Sequence, residues 1–309
     1  MKRINQNEKV YNQSKSSVSR TPVTVIGLGM LGSALASAFL NHNHPTTVWN
    51  RTANKADDLV TRGAVRVDSV TEAVEASKLV VICVSDYEGV REILAPSIAK
   101  LSGRLLVNLS SGTPEQAREI GNWAKEHNVS YLDGAAMSGT RLVGKPEAVF
   151  LYSGSSAAFT EYEETLRSLG NAMYLDADFG LASLYDTALF GMNWGVLIGF
   201  YHAVALLGTE QVDPIKFASI ATEYTPFVIG LMSDHARQIK EGHYPKDDGT
   251  LEVHMDAMDH LVHTSQANGI STDVPNLIKT LLERGIATGH SSDGIASLIE
   301  VIKKPTPSK

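Results

Sequence analysis

The chain has 309 residues, 43% of them hydrophobic, which is enough to bury a sizeable core in two domains or one large one. Its 27 basic and 34 acidic residues leave a net charge of −7, which supplies no basic footprint for nucleic acid or an anionic membrane and favours small-molecule partners. One cysteine, Cys83, forms no internal disulfide, so the expectation is a soluble cytoplasmic chain.

Residues 1–20 are polar, lack the apolar stretch of a secretory signal, and read as a leader. No later run approaches membrane-span length without polar breaks. From 21 to 179 the pattern alternates. "PVTVIG" (22–27) is a short β-branched run, a helical segment follows to about Asn41, and "TTVW" (46–49) is the next strand. "ANKADDLVTRG" is helical and leads to "AVRV"; "KLVVICV" (78–84) and "GRLLVNLS" (103–110) are near-continuous apolar strands. Such runs suit parallel strands covered on both faces, so the expected fold is α/β, a doubly wound Rossmann sheet with ligands at the carboxyl ends of its strands.

Gly27-Leu-Gly29-Met30-Leu31-Gly32 follows the first strand and opens a helix. In that setting Gly27 permits the tight turn, Gly29 lets the backbone approach a pyrophosphate, and Gly32 permits close helix–strand packing. The helix N-terminus adds amide donors and a positive dipole for phosphate. After the second strand stand Asn50, Arg51, Thr52 and Lys55, with no carboxylate to repel a 2′-phosphate and two cations to hold one, so NADPH is preferred over NADH. The next carboxyl-end loops supply Cys83, Val84 and Ser85, then Ser110 and Ser111, at the expected nicotinamide end. Thr113 before Pro114 reads as an ordinary helix cap, and Cys83 as a small core residue.

Beyond about Gly180 helical periods take over, roughly over 180–208, 213–242, 249–269, 274–288 and 293–303. The first of these carries a lone carboxylate, Asp186, in an otherwise apolar stretch, "LYDTALFGMNWG". At 100° per residue Asn193 lies about 20° from Asp186 around the helix, Phe190 about 40° and Trp194 about 80°. "HMDAMDHLVH" (254–263) lacks a metal-binding arrangement and reads as a polar helix face, so no metal is expected; Asp293 reads as a cap.

"VTVIGLGMLGSALASAFL", "VWNRTANKADDLV" and "NLSSGTPEQARE" resemble the cofactor domain of the β-hydroxyacid dehydrogenase superfamily, whose members include 6-phosphogluconate dehydrogenase-like folds, and "YLDGAAMSGTRLVGKPEAVFLYSGS" resembles its substrate-side segment. "GLASLYDTALFGMNWG" and the stretch from "EGHYPKDD" to "IASLIE" resemble the NADPH-dependent imine reductases and reductive aminases. The resemblance implies a Rossmann domain over 21–179, an interdomain helix over 180–208 about 40 Å long, and an all-helical substrate and dimerisation domain over 209–309. It further implies a homodimer that exchanges its helical domains, with Gly191, Gly195 and Gly199 as a close-packing face on the long helix.

The superfamily's hydroxyacid dehydrogenases place a catalytic lysine four residues after a glycine on this helix; here Gly180 is followed at that spacing by Leu184. Without a base the oxidation of an alcohol is disfavoured, and Asp186 matches the aspartate type of imine reductase. A carboxylate suits a cationic C=N group, either orienting the iminium or relaying a proton to the amine. The resemblance places Ser111, Ser138, Phe190, Asn193, Trp194, Phe227, Met255 and Met258 around the substrate. Many reductive aminases carry tyrosine where Trp194 stands; an indole N–H donates but relays no proton, which favours preformed imines over in-site condensation. The expected activity is therefore NADPH-dependent reduction of cyclic imines or iminium ions. The alternatives are a 3-hydroxyacid or aldehyde reductase of the same superfamily and a non-catalytic NADPH-binding dimeric sensor.

Overall fold

The computed structural model describes residues 20–304, so the expected polar leader falls, except for Arg20, outside the described residues. The chain divides into two compact units, one ending at Phe190 and one beginning at Gly191, a division that falls inside the long helix.

In the first unit strands and helices alternate as β1 (Val23–Ile26), α1 (Met30–Asn41), β2 (Thr46–Trp49), α2 (Asp57–Thr61), β3 (Val65–Arg66), α3 (Val70–Ala76), β4 (Leu79–Ile82) and α4 (Tyr87–Leu94). There follow β5 (Leu105–Asn108), α5 (Pro114–Glu126), β6 (Ser130–Ala136), β7 (Val149–Gly154), α6 (Ser156–Leu166) and β8 (Asn171–Tyr174), and then the start of α7 (Leu181–Gly208). The sheet has eight strands in the order β3-β2-β1-β4-β5-β6-β7-β8. Every residue of β1, β4 and β5 is buried, because helices cover both faces, and this is why those strands show no alternation in sequence. One pairing departs from the all-parallel expectation: β6 and β7 run antiparallel. Only a short 3-10 turn over Thr140–Leu142 joins them, and without a crossover helix the chain returns in the opposite direction.

The order in which strands are added to the sheet reverses between β1 and β4, which themselves run parallel. The chain leaves β1 towards β2 and β3 on one side and resumes at β4 on the other, which opens a crevice above the carboxyl ends of β1 and β4.

The second unit holds the rest of α7, then α8 (Pro214–Glu241), α9 (Leu251–Ala267), α10 (Asp273–Gly285) and α11 (Ile299–Ile302). Asp213 caps α8 through its side chain on the Ile215 amide, Pro214 occupies the first turn, and Gly242 ends the helix in the left-handed region at φ 67°. The stretch expected to be helical from 274 to 288 breaks after Gly285 into a π turn that ends where Gly289 adopts φ 99°. Asp293 does not cap the next segment: its carboxylate accepts from His290 Nδ1 at 2.8 Å, and Gly294 takes the cap position.

Leu251, Leu282, Ala296 and Val301 form the buried apolar residues of this unit, whereas α7 and α8 expose Phe190, Met192, Val196, Tyr224, Phe227 and Ile229. A Cβ added at Gly191, Gly195 or Gly199 would meet nothing within 4 Å, so among the described residues nothing packs on that glycine face. By length and apolar character α7 is also long enough to cross a bilayer, a feature that the sequence reading did not anticipate.

Candidate active site

The β1–α1 turn makes the first wall of the site. Gly27 has φ 93°, and a Cβ there would stand 2.2 Å from the Cys83 carbonyl oxygen; at Gly32 it would stand 1.9 Å from the Gly27 oxygen. These two glycines let the turn, the helix and β4 come together. Gly29 differs, because a Cβ at that position would meet nothing within 4 Å. The space beside it is open to a ligand. As the helix cap Gly29 offers no side-chain acceptor, and α1 has no acidic residue in its first turn, so the positive end of the helix and its amide donors are left for an anion.

These residues line a cavity of about 630 Å³. Gly27, Gly29, Met30, Leu31 and Gly32 form one wall; Asn50, Arg51, Thr52 and Lys55 form the second, and Cys83, Val84, Ser85 and Ser111 the third. Asn50 works structurally: its Oδ1 accepts from the Leu28 amide at 2.9 Å and its Nδ2 donates to the Thr52 carbonyl at 2.9 Å, fastening the glycine loop to the loop after β2. Arg51 and Lys55 are exposed on the wall, a cationic pair without a carboxylate between residues 50 and 55. Open space at Gly29, closed backbone at Gly27 and Gly32, and this cation pair fit a dinucleotide carrying a 2′-phosphate. Burial pushes the Cys83 thiol up to about 11, which suits a wall residue and not a nucleophile.

Ser110 stands behind this wall. It is buried, and its hydroxyl accepts from the Val84 amide at 3.0 Å, holding the β4 and β5 loops together. Thr113 caps α5 in a reciprocal arrangement with Gln116. Sequence reasoning missed Trp49, Asp86, Glu88 and Glu92, which also line the cavity. Asp86 carried a legible signal, since it precedes a helix and caps it on the Gly89 amide at 2.8 Å.

The first turn of α7 is fixed to this unit at several points. Asp178 accepts the Gly180 amide at 3.0 Å and pairs with both nitrogens of the Arg118 fork at 2.9 Å. Ser153 Oγ accepts from the Ala182 amide at 3.0 Å, and Ser183 Oγ donates to the Gly112 carbonyl at 2.7 Å. Gly112 belongs to the loop that brings Ser111 to the cavity. Asp186, one turn beyond Ser183, is half-buried, and that burial pushes its carboxyl above the usual carboxylate range.

A second carboxyl, Asp133 on β6, is fully buried and was missed, although a lone Asp inside "YLDGAA" was visible. Its Oδ1 accepts from Tyr87 at 2.7 Å and from Tyr131 at 2.9 Å, and Tyr131 accepts from Asn108 Nδ2 at 3.1 Å. Its Oδ2 has no hydrogen-bond partner among the described residues. Burial pushes this carboxyl up to about 7, opposed by the two phenols and reinforced by the charge on Asp186.

The remaining expected pocket residues fall on several elements of the two units. Ser138 spends its hydroxyl on the Val149 amide at 3.0 Å, and Phe190 is exposed at the end of the first unit. Asn193, Trp194, Phe227, Met255 and Met258 belong to the second unit: Phe227 lies exposed on α8 beside Tyr224, and the two methionines are half-buried on α9. On α9, His254 bonds the Asp248 carbonyl at 2.8 Å and Asp259 pairs with Lys279.

A Rossmann sheet with a glycine cradle, a cationic ribose-side wall and a helical second unit defines a nicotinamide-dinucleotide oxidoreductase. Residues 22–177 match the family described as the NAD binding domain of 6-phosphogluconate dehydrogenase, and residues 178–304 match the NADPH-dependent reductive aminase-like C-terminal domain. An NADPH-dependent reductive aminase from Aspergillus oryzae is 34% identical over 285 residues, covering 91% of this chain and 97% of that one. Among solved structures, an imine reductase from Bacillus cereus has a TM-score of 0.85 at 36% identity, covering 93% of this chain and 100% of that one. A reductive aminase from Aspergillus terreus in complex with NADPH4, cyclohexanone and allyl amine also has a TM-score of 0.85 at 36% identity, covering 91% and 99%. The chain belongs to the NADPH-dependent imine reductase and reductive aminase family, oxidoreductases acting on C=N bonds.

Proposed function

We propose that the protein reduces cyclic imines and iminium ions to amines, with Asp186 facing the cationic nitrogen. The observation that carries this is a half-buried carboxylate one turn beyond Ser183, which ties the start of the helix to the cofactor-side loop, in a helix that contains no lysine. Bound NADPH supplies the hydride. Gly29 and the α1 N-terminus hold its pyrophosphate, and Arg51 with Lys55 holds its 2′-phosphate. The raised proton affinity of Asp186 suits it to protonate a neutral imine to the iminium, and the carboxylate left behind stabilises the positive charge that makes the C=N carbon electrophilic; a preformed iminium meets the carboxylate directly and needs no proton to give the amine.

The test is NADPH consumption with 1-pyrroline and 2-methyl-1-pyrroline, comparing the parent with Asp186→Asn. Turnover falls by about 10²- to 10⁴-fold while NADPH affinity is retained. An unchanged rate returns Asp186 to a structural role, and oxidation of 3-hydroxyacids with NADP⁺ replaces the imine reading. Trp194 in the place of a relaying tyrosine supports preformed imines as better substrates than separate ketone and amine.

The exposed apolar faces of α7 and α8 and the uncovered glycine face of α7 support a homodimer with exchanged helical domains. Light scattering on the parent gives twice the chain mass, and Phe227→Glu shifts it towards the monomer.

A further inference from the structure

Beneath the first turn of α7 lies a carboxyl that the reaction proposed above does not use. Asp133 is joined to that turn by a short path: its Oδ1 accepts from Tyr87, the Tyr87 ring packs against Gly112, and the Gly112 carbonyl accepts from Ser183 in the first turn. The Tyr87 ring fills the space under Gly112, where a Cβ would stand 2.2 Å from the ring. One column therefore connects β6, α4, the cofactor-side loop and the start of the helix that presents Asp186.

The bonding of Asp133 argues for its protonation state. Two phenols donate to one oxygen while the other, fully buried, has no partner among the described residues. An unpartnered oxygen costs far more on an anion than on a neutral carboxyl. The titratable groups facing it are Tyr87 from α4, Tyr131 from its own strand and Asp186 from α7; α5, packed on β6, presents Ala117 and Ile120. No cation faces Asp133 among these groups, and the one neighbouring carboxylate opposes a second charge.

We propose that Asp133 is a positioning residue for Asp186: it stays neutral while Asp186 is ionised, so that the two carboxyls carry one charge between them, and through Tyr87 and the Gly112 loop that Ser183 bonds it fixes the start of the helix that presents Asp186. This rests on the catalytic reading of Asp186. A cationic substrate at Asp186 relieves the repulsion on Asp133. Raising the pH until Asp133 ionises adds a second buried charge and raises the proton affinity of Asp186. The pH dependence then belongs to the pair and not to either residue alone.

Two measurements on the NADPH-bound full-length protein test this. The first is the pH profile of kcat/KM with 2-methyl-1-pyrroline: the parent shows an ionisation in the neutral range, and Asp133→Asn, which keeps the size and an acceptor for both phenols, loses it while binding NADPH as the parent does. The second is an isotope-edited infrared titration of the Asp133 carboxyl. Its midpoint falls in Asp186→Asn, where the repelling charge is gone, and rises in Tyr87→Phe, where a donor to the anion is gone. A neutral-range limb that persists in Asp133→Asn, or an Asp133 midpoint unmoved by Asp186→Asn, overturns the proposal. A lowered midpoint in an Asp186→Asn protein of full turnover supports the coupling and removes only the catalytic reading of Asp186. The infrared measurement stands even if Asp133→Asn does not fold.

Discussion

Gly29 and Gly32 sit three residues apart in the same turn, yet alanine at each acts on a different property. At Gly32 the added Cβ falls 1.9 Å from the backbone oxygen of Gly27, and a backbone neighbour yields only if the β1–α1 turn moves. Such overpacking costs about 1–3 kcal/mol of stability and distorts the cradle as well. At Gly29 the backbone is extended at φ −71°, ψ −170°, which alanine adopts freely, and the Cβ meets nothing. Gly29→Ala therefore leaves the stability of the cofactor-free protein within about 0.5 kcal/mol of the parent. It places a methyl group where the pyrophosphate approaches, and each amide contact to phosphate lost costs about 1.5–3 kcal/mol, or roughly 10- to 100-fold in affinity. Denaturant unfolding of the cofactor-free protein, paired with fluorescence titration of NADPH, separates the two. Gly32→Ala is expected to lose both stability and affinity, and Gly29→Ala affinity alone. Parental NADPH affinity in Gly29→Ala would refute the placement of the pyrophosphate beside that residue.

Arg51→Ala is expected to weaken NADPH by about 10- to 100-fold, the worth of a charge-assisted phosphate contact, and NADH by little; titrations of both cofactors check this, and equal losses would contradict it. Asp133 also has a stability signature. Its carboxyl binds its proton more tightly folded, at about 7 against 3.8, so the folded state gains most below the lower value and loses that gain as pH rises to the higher one. Relative to Asp133→Asn the parent is expected to lose on the order of 3 kcal/mol between about pH 5 and pH 8, read by denaturant unfolding. Parallel curves for the two proteins would show that the group titrates normally.

Strand and helix positions in the first unit were legible because burial on both faces and glycine punctuation leave strong local marks: β1, β2 and the end of α1 fall where the pattern put them. The glycine cradle and Arg51 were legible for the same reason, since a turn with positive φ and a missing carboxylate are properties of the residues themselves. The bond from the Val84 amide to the Ser110 hydroxyl was not legible, because it joins residues 26 apart in sequence. Asp133 was invisible as chemistry because its meaning comes from Tyr87, 46 residues away, and from Asp186, neither adjacent in sequence.

Local covalent preferences and apolar periodicity thus determined the Rossmann unit, the helical second unit and the type of cofactor, since each is written in short stretches of chain. Tertiary structure alone decided the direction of β7, the fastening of the first turn of α7, and the protonation of a buried carboxyl. These depend on which groups long-range packing brings within hydrogen-bond or Coulomb reach, and on how much water it removes from them.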